Sequence, residues 1–139
     1  MADIHHLLLI DAPISKIYQA ISTEKGYKAW WTDESYGDFK VGGEVHFDFG
    51  EKYKNTFEVS YLDPDTRVVL LGKESVPDWV DSKIDIRLDK QDGKVRVRFS
   101  HSGYPDDGDF YANCNYSWGY YLKSLKDYCE TGKGFPSTH

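Results

Sequence analysis

The stretch 109-DFYANCNYSWGYYLKSLKDYCET-131 is the longest segment of this chain with a helical pattern. Its apolar residues recur at steps of three and four and therefore share one face of a helix. They are Phe110, Cys114, Trp118, Tyr121, Leu122, Leu125 and Cys129. The pattern predicts a helix over Gly108–Thr131 that is roughly 33 Å long, enough to lie across a whole sheet. Gly132 is suited to end it as a C′ glycine.

The segments before this helix have the period of strands. From Gly42 onward, apolar and polar residues alternate twice, which is typical of half-buried antiparallel strands. The apolar sets are Val45, Phe47 and Phe49 in the first segment and Phe57, Val59 and Tyr61 in the second. We expect each set to face the core.

A hairpin is predicted at Asp92-Gly93, a dipeptide favoured in two-residue type I′ turns. With Gln91 opposite Lys94, the register pairs the residues on both faces of the hairpin. The apolar face has Leu88 opposite Val97, Ile86 opposite Phe99 and Ile84 opposite His101, and the other face has Asp89 opposite Arg96 and Arg87 opposite Arg98. The two opposed arginines are tolerable only on a solvated face.

The N-terminal third predicts a strand followed by two short helices. Ile4–Ile10 is an apolar run of strand length, and Pro13 then suits the start of a helix. Thr23 is suited to cap a second helix that carries Trp30 and Trp31. The order of elements predicts an α+β fold, with a curved antiparallel sheet of about six strands around the long C-terminal helix. At 139 residues we expect a single domain over 1–139.

Composition excludes several classes of function. Asp and Glu outnumber Lys and Arg by 23 to 17, and no basic stripe is interleaved with aromatic residues, so no nucleic-acid partner is expected. No apolar run approaches the roughly 20 residues of a membrane span, and the N-terminus lacks the order of a signal peptide. Cys114 and Cys129 lie about 22 Å apart along the predicted helix, too far for a disulfide. Two free thiols indicate a cytoplasmic location.

No catalytic or metal-binding pattern stands out. The five histidines, the cysteines and the carboxylates show no metal-ligand spacing, so neither a metal nor another cofactor is expected. The sequence contains no nucleophile elbow, P-loop or dinucleotide glycine motif. We therefore assign no catalytic residue and expect a protein that is not an enzyme.

Several motifs together resemble the activator of heat-shock protein 90 ATPase homology family. They are API..IY.AI (Ala12–Ile21), the Trp30-Trp31 pair, Gly42-Gly43, and W..YL.SLK.Y.E.G.G.P (Trp118–Pro136). That family belongs to the START-like, or SRPBCC, helix-grip superfamily, and the resemblance covers nearly the whole chain. It implies a curved sheet that holds the C-terminal helix around a hydrophobic cavity.

Alternation and helical spacing identify candidate residues for this cavity. They are Phe47, Phe49, Phe57, Val59, Tyr61, Ile86, Val97, Phe99, His101, Trp118 and Tyr121. The alternative is that Trp118 and Tyr121 are ordinary core. His101 either reaches water at a strand end or offers a polar contact to a ligand, as Tyr61 would. Trp30 and Trp31 either plug the space between the short helices or form a lid, as this region does in the fold.

Three classes of function follow. The first is a protein that binds a small apolar or aromatic molecule, the second a chaperone-associated partner-binding protein of the stress response, and the third a cyclase- or hydrolase-type enzyme. Shared fold does not decide among them. Eukaryotic activators of the family carry an additional N-terminal domain that these 139 residues do not contain, so we expect this chain alone to stimulate a heat-shock protein 90 ATPase only weakly.

Overall fold

The computed structural model describes residues 1–139 and has one antiparallel sheet of seven strands with three α-helices. The elements are β1 (Ala2–Ile10), α1 (Ile14–Ser22), α2 (Glu24–Trp30), β2 (Glu34–Gly37), β3 (Glu44–Asp48), β4 (Thr56–Asp63), β5 (Arg67–Gly72), a 3₁₀ turn (Pro77–Trp79), β6 (Lys83–Gln91), β7 (Lys94–Tyr104) and α3 (Asp109–Thr131). The spatial order of the strands is β1-β7-β6-β5-β4-β3-β2.

The predicted α+β helix-grip fold is confirmed, with two short helices after the first strand and a long C-terminal helix. The sheet has seven strands rather than about six. The additional strand is β2, whose four residues Glu-Ser-Tyr-Gly carry no apolar alternation that sequence reasoning could detect. None of the helices combines the length and apolar character that spanning a bilayer requires.

The β6–β7 hairpin has the predicted register at every pair, including Ile84 opposite His101 and Arg87 opposite Arg98. Asp92 and Gly93 both have positive φ, 51° and 80°, as a type I′ turn requires. Arg87 and Arg98 are both exposed, so their charges are solvated.

Helix α3 lies along the edge strand β1 and does not cross the strands of the sheet. Four hydrogen bonds join them in order: Tyr111 to the Asp3 carbonyl, Asn115 to His6, Lys126 to the Leu9 carbonyl, and Glu130 to the Asp11 amide. The helix thereby covers backbone groups of the edge strand that would otherwise be free to pair with another chain. It ends at Gly132, whose φ of 89° is left-handed.

Helices α1 and α2, residues 14–30, form a region that we call the helical corner. Thr23 caps α2 by accepting a hydrogen bond from the Gly26 amide. Gly26 lets the two helices approach closely, because a Cβ there would lie 2.5 Å from the Ala20 carbonyl oxygen. Trp30 is fully buried, and its Nε1 donates to the same carbonyl at 2.7 Å.

One hydrophobic cluster joins the inner face of the sheet to all three helices. It contains six of the predicted strand residues: Phe47, Phe57, Val59, Ile86, Val97 and Phe99. Cys114 and Cys129 are both buried as free thiols, as predicted.

Candidate functional site

A cleft of about 360 Å³ lies between the N-terminal half of α3, the 3₁₀ turn and the β3–β4 connection. Nine of its twelve lining residues are hydrophobic. The lining consists of Trp31, Phe49, Tyr53, Asn55, Val76, Trp79, Phe110, Asn113, Cys114, Ser117, Trp118 and Tyr121. Tyr53 and Phe110 are exposed, at 54% and 38%, so the cleft opens to solvent.

Three tryptophans from three different elements form the apolar wall. Trp31 follows α2, Trp79 ends the 3₁₀ turn, and Trp118 lies in the middle of α3. The rings of Trp31 and Trp118 lie 4.7 Å apart between centroids with planes tilted by 30°. Trp118 also packs on Phe99 of β7 at 4.4 Å. The wall is therefore fixed to the sheet and offers flat aromatic surfaces to the space beside it.

His101 lies behind this wall, fully buried, and holds it in place. Its Nε2 lies 2.8 Å from Ser82 Oγ, and its Nδ1 lies 3.1 Å from Trp118 Nε1. An indole N–H is only a donor, so Nδ1 must accept and the proton must be on Nε2. The Ser82 hydroxyl accepts that proton's hydrogen bond because its own hydrogen goes to the Trp79 carbonyl at 2.7 Å. This network fixes the tautomer of His101.

Tyr104 extends the network to the second wall tryptophan. Its hydroxyl accepts from Trp79 Nε1 at 3.0 Å and lies 3.0 Å from His101 Nδ1. Burial lowers the pKa of His101 to about 3, and it raises the pKa of the Cys114 thiol above its usual value. Both groups are neutral near pH 7.

The structure places the predicted site residues in three groups. Phe49, Trp31, Trp118 and Tyr121 line the cleft. The six strand residues of the cluster lie in the closed core, and Trp30 is a structural plug in the helical corner. His101 does not reach water at a strand end, and it is not a lining residue but packs behind the lining residues Trp79 and Trp118.

The expected place of Tyr61 was wrong. A bulge between Val59 and Tyr61 inserts one residue into β4 and reverses the alternation beyond it. Tyr61 is therefore 45% exposed on the outer face, where the Arg67 guanidinium lies 5.4 Å from its ring. It does not face the cleft.

Sequence reasoning missed eight lining residues. Four of them, Phe110, Asn113, Cys114 and Ser117, share a helical face with Trp118 and Tyr121, so the spacing of α3 could have found them. The other four, Tyr53, Asn55, Val76 and Trp79, lie outside the strands, where no periodicity applies.

A second group of polar side chains surrounds His139, whose ring lies edge-on to Phe49 of the cleft lining. Nδ1 of His139 is 3.1 Å from Asp33 and 3.3 Å from Glu34, and the His139 amide also donates to Asp33. Sequence spacing did not indicate this group, because its members are more than a hundred residues apart. These contacts fasten the C-terminal segment beside β2.

The chain is similar to several solved structures. The solution structure of the Aha1 dimer from Colwellia psychrerythraea has 37% identity and a TM-score of 0.88, over 96% of this chain and 100% of that one. CalU16 from Micromonospora echinospora has 17% identity and a TM-score of 0.76, over 91% and 73%. A protein from Staphylococcus saprophyticus has 16% identity and a TM-score of 0.78, over 99% and 98%. The last two show the fold alone.

The sequence matches none of the curated proteins with which it was compared. A family model described as activator of Hsp90 ATPase homolog 1-like protein matches residues 11–130. That range includes all three helices apart from the last residue of α3, and all of the sheet except β1. The chain belongs to the activator of Hsp90 ATPase homolog 1-like protein family, and the resemblance drawn from its motifs is confirmed.

Proposed function

We propose that this protein binds a small, ring-containing apolar molecule in the cleft between α3, the 3₁₀ turn and the β3–β4 connection. The observation that carries the proposal is the wall of Trp31, Trp79 and Trp118 beside about 360 Å³ of space. This volume falls in the lower part of the range of roughly 300–1,000 Å³ in which small-molecule sites occur.

The lining supports binding without catalysis. It includes neither a histidine nor a carboxylate, so no acid/base pair converges on the space. We therefore do not propose the cyclase- or hydrolase-type reaction. The two buried free thiols accord with a reducing compartment, and we propose the cytoplasm as the site of action.

The test is titration of the protein with 2-acetylnaphthalene, with binding measured by tryptophan emission and by calorimetry. We expect saturable binding at one site. Ser117→Phe places a ring into the cleft from α3 and should weaken binding at least roughly tenfold, equal to about 1.4 kcal/mol. Ala112→Phe is the matched control, because Ala112 is exposed on the same helix outside the cleft.

Two outcomes would contradict the proposal. One is the absence of saturable binding by the unmodified protein. The other is an equal loss of affinity in Ser117→Phe and Ala112→Phe, which would place the binding elsewhere or make it nonspecific.

A second candidate function is docking onto a chaperone of the heat-shock protein 90 type, suggested by the family. A row of arginines on the outer face of the sheet favours it. Arg67, Arg87 and Arg98 lie side by side across β5, β6 and β7. Asp85 pairs with the first two, while Arg98 makes no ion pair. Opposed like charges are unfavourable on a sheet, and an acidic partner surface would offset them.

Association with the chaperone is the primary readout of docking. The variant Arg87→Ser with Arg98→Ser should weaken association in a salt-dependent manner. Lys90→Ser with Lys94→Ser removes the same charge from the exposed end of the hairpin and should have no effect. Equal effects of the two variants would exclude the arginine row as the docking site. A large, saturable ATPase increase would favour this function over ligand binding.

A further inference from the structure

We infer that the N–H group of Trp31 selects the ligand, and that the ligand is an uncharged ring compound with a hydrogen-bond acceptor, such as a ketone, an ester or an ether. This inference rests on the proposed binding function of the cleft and specifies which chemistry the cleft recognises.

The first observation concerns the four indole N–H groups of the chain. Those of Trp30, Trp79 and Trp118 donate to the Ala20 carbonyl, the Tyr104 hydroxyl and His101 Nδ1. Trp31 donates no hydrogen bond within the protein, although only 2% of its surface is exposed. It is therefore the one indole whose donor is still available.

The second observation locates this donor. Tyr27 Oη is the only side-chain polar atom that is sealed from solvent without a hydrogen-bond partner. The Nε1 of Trp31 also lacks a partner but is not sealed in this way. It must therefore border space that solvent can reach. Trp31 lines the cleft, and the cleft is the space to which we assign its N–H.

Among the other polar lining residues, only Asn55 has its side chain already paired within the protein. The Asn55 amide donates to the Phe47 carbonyl at 2.9 Å and accepts from the Val76 amide at 3.1 Å. Asn113 and Ser117 make no side-chain hydrogen bond within the protein, but Asn113 is exposed and Ser117 is half-buried, so water competes for both. A nearly buried donor without a partner discriminates more strongly than a solvated one, because an analogue without the acceptor leaves it unpaired.

The third observation concerns charge. None of the twelve lining residues is Asp, Glu, Lys, Arg or His. Burial also raises the pKa values of the Cys114 thiol and the Tyr121 hydroxyl, so neither becomes an anion at neutral pH. Besides burial, the carboxylate of Asp78 also raises the pKa of Cys114, so a negative charge acts on this part of the lining. A charged ligand would lose its hydration without gaining a counter-charge, and an anion would also be repelled by Asp78.

Three probes of one ring system test the inference. The first, 2-acetylnaphthalene, carries a neutral hydrogen-bond acceptor. The second, 2-ethylnaphthalene, carries no acceptor, and the third, 2-naphthoate, carries a negative charge. We expect 2-naphthoate to bind at least roughly tenfold more weakly than 2-acetylnaphthalene. We also expect Trp31→Phe to lower the affinity for the acetyl compound relative to the ethyl compound roughly threefold to tenfold, the usual value of one hydrogen bond.

Trp30→Phe is the matched control, because it makes the same chemical change one residue earlier, outside the cleft. It should leave the ratio of the two affinities unchanged.

A measurement on the unmodified protein is independent of any variant's folding. In ¹H–¹⁵N spectra with ¹⁵N-labelled indoles, one of the four side-chain resonances should exchange fastest with solvent and should shift with the acetyl compound but not with the ethyl compound.

The outcomes separate the two proposals. If none of the probes binds saturably, the proposed function fails. If the probes bind but 2-naphthoate is as tight as the acetyl compound, or Trp31→Phe leaves the affinity ratio unchanged, ligand binding stands and the role of Trp31 is overturned.

Discussion

The helical corner and the cleft are both rich in aromatic rings, but only one of them is closed. Trp30 and Trp31 are neighbours in the sequence, and each is at least 98% buried. Trp30 donates its N–H to α1 and plugs the helical corner, whereas Trp31 faces the cleft with its N–H unused. The two residues therefore have the same type and nearly the same burial, although one lies in the helical corner and the other at the cleft. What differs is whether a neighbouring element accepts a hydrogen bond from the indole N–H.

Truncating one tryptophan in the helical corner and one in the cleft wall should give the largest changes in stability. Trp30→Ala and Trp118→Ala should each lower the free energy of unfolding by roughly 3–5 kcal/mol, because each leaves a large cavity. Only Trp118→Ala should also weaken probe binding, since its ring forms the cleft wall. Urea unfolding and probe titration measure the two quantities. If Trp30→Ala and Trp118→Ala both fold and lose probe affinity equally, the cleft is not distinct from the helical corner as a binding region.

Acid should destabilise the cleft side through His101. Its pKa in the folded protein is about 3, below the ordinary 6.5, so the unfolded chain binds more protons between these values. The stabilising contribution is complete above pH 6.5 and is lost as the pH falls, by up to about 1.4 kcal/mol per pH unit. Unfolding free energies measured between pH 7 and 4.5 should show this slope.

His101→Gln tests the origin of that slope. Glutamine retains one donor and one acceptor but takes up no proton in this range, so the slope should be shallower by nearly one proton. Trp30→Phe changes the helical corner alone and should keep the slope of the unmodified protein. An unchanged slope in His101→Gln would assign the acid sensitivity to other groups.

Two tyrosine hydroxyls provide the smallest and most selective comparison. Tyr104→Phe leaves Trp79 Nε1 without its acceptor and should cost roughly 1–3 kcal/mol of unfolding free energy. Tyr27→Phe removes a buried hydroxyl that has no partner, so it should be neutral or stabilising by up to about 1 kcal/mol. Thermal and urea unfolding of both variants measure the difference. A larger loss in Tyr27→Phe than in Tyr104→Phe would contradict this account.

The sequence predicted the hairpin register, the bounds of α3 to within one residue, and the inner-face position of Phe47, Phe57 and Phe99. These features depend on periodicity and turn chemistry, which act over a few residues. The reversal at Tyr61 was not predicted, because one inserted residue in β4 leaves no mark on composition. The partners of His101 were not predicted either, since Ser82 and Trp118 are seventeen or more residues away.

By itself, the sequence determined which faces of the strands and helices are apolar, and hence that a sheet would cover a long helix. Whether the facing rings meet or leave a space was decided only by the tertiary structure. The reason is that a cavity depends on the distance between elements remote in the sequence. Here the hydrogen bonds between α3 and β1 hold the helix along one edge of the sheet, and the cleft lies beside it.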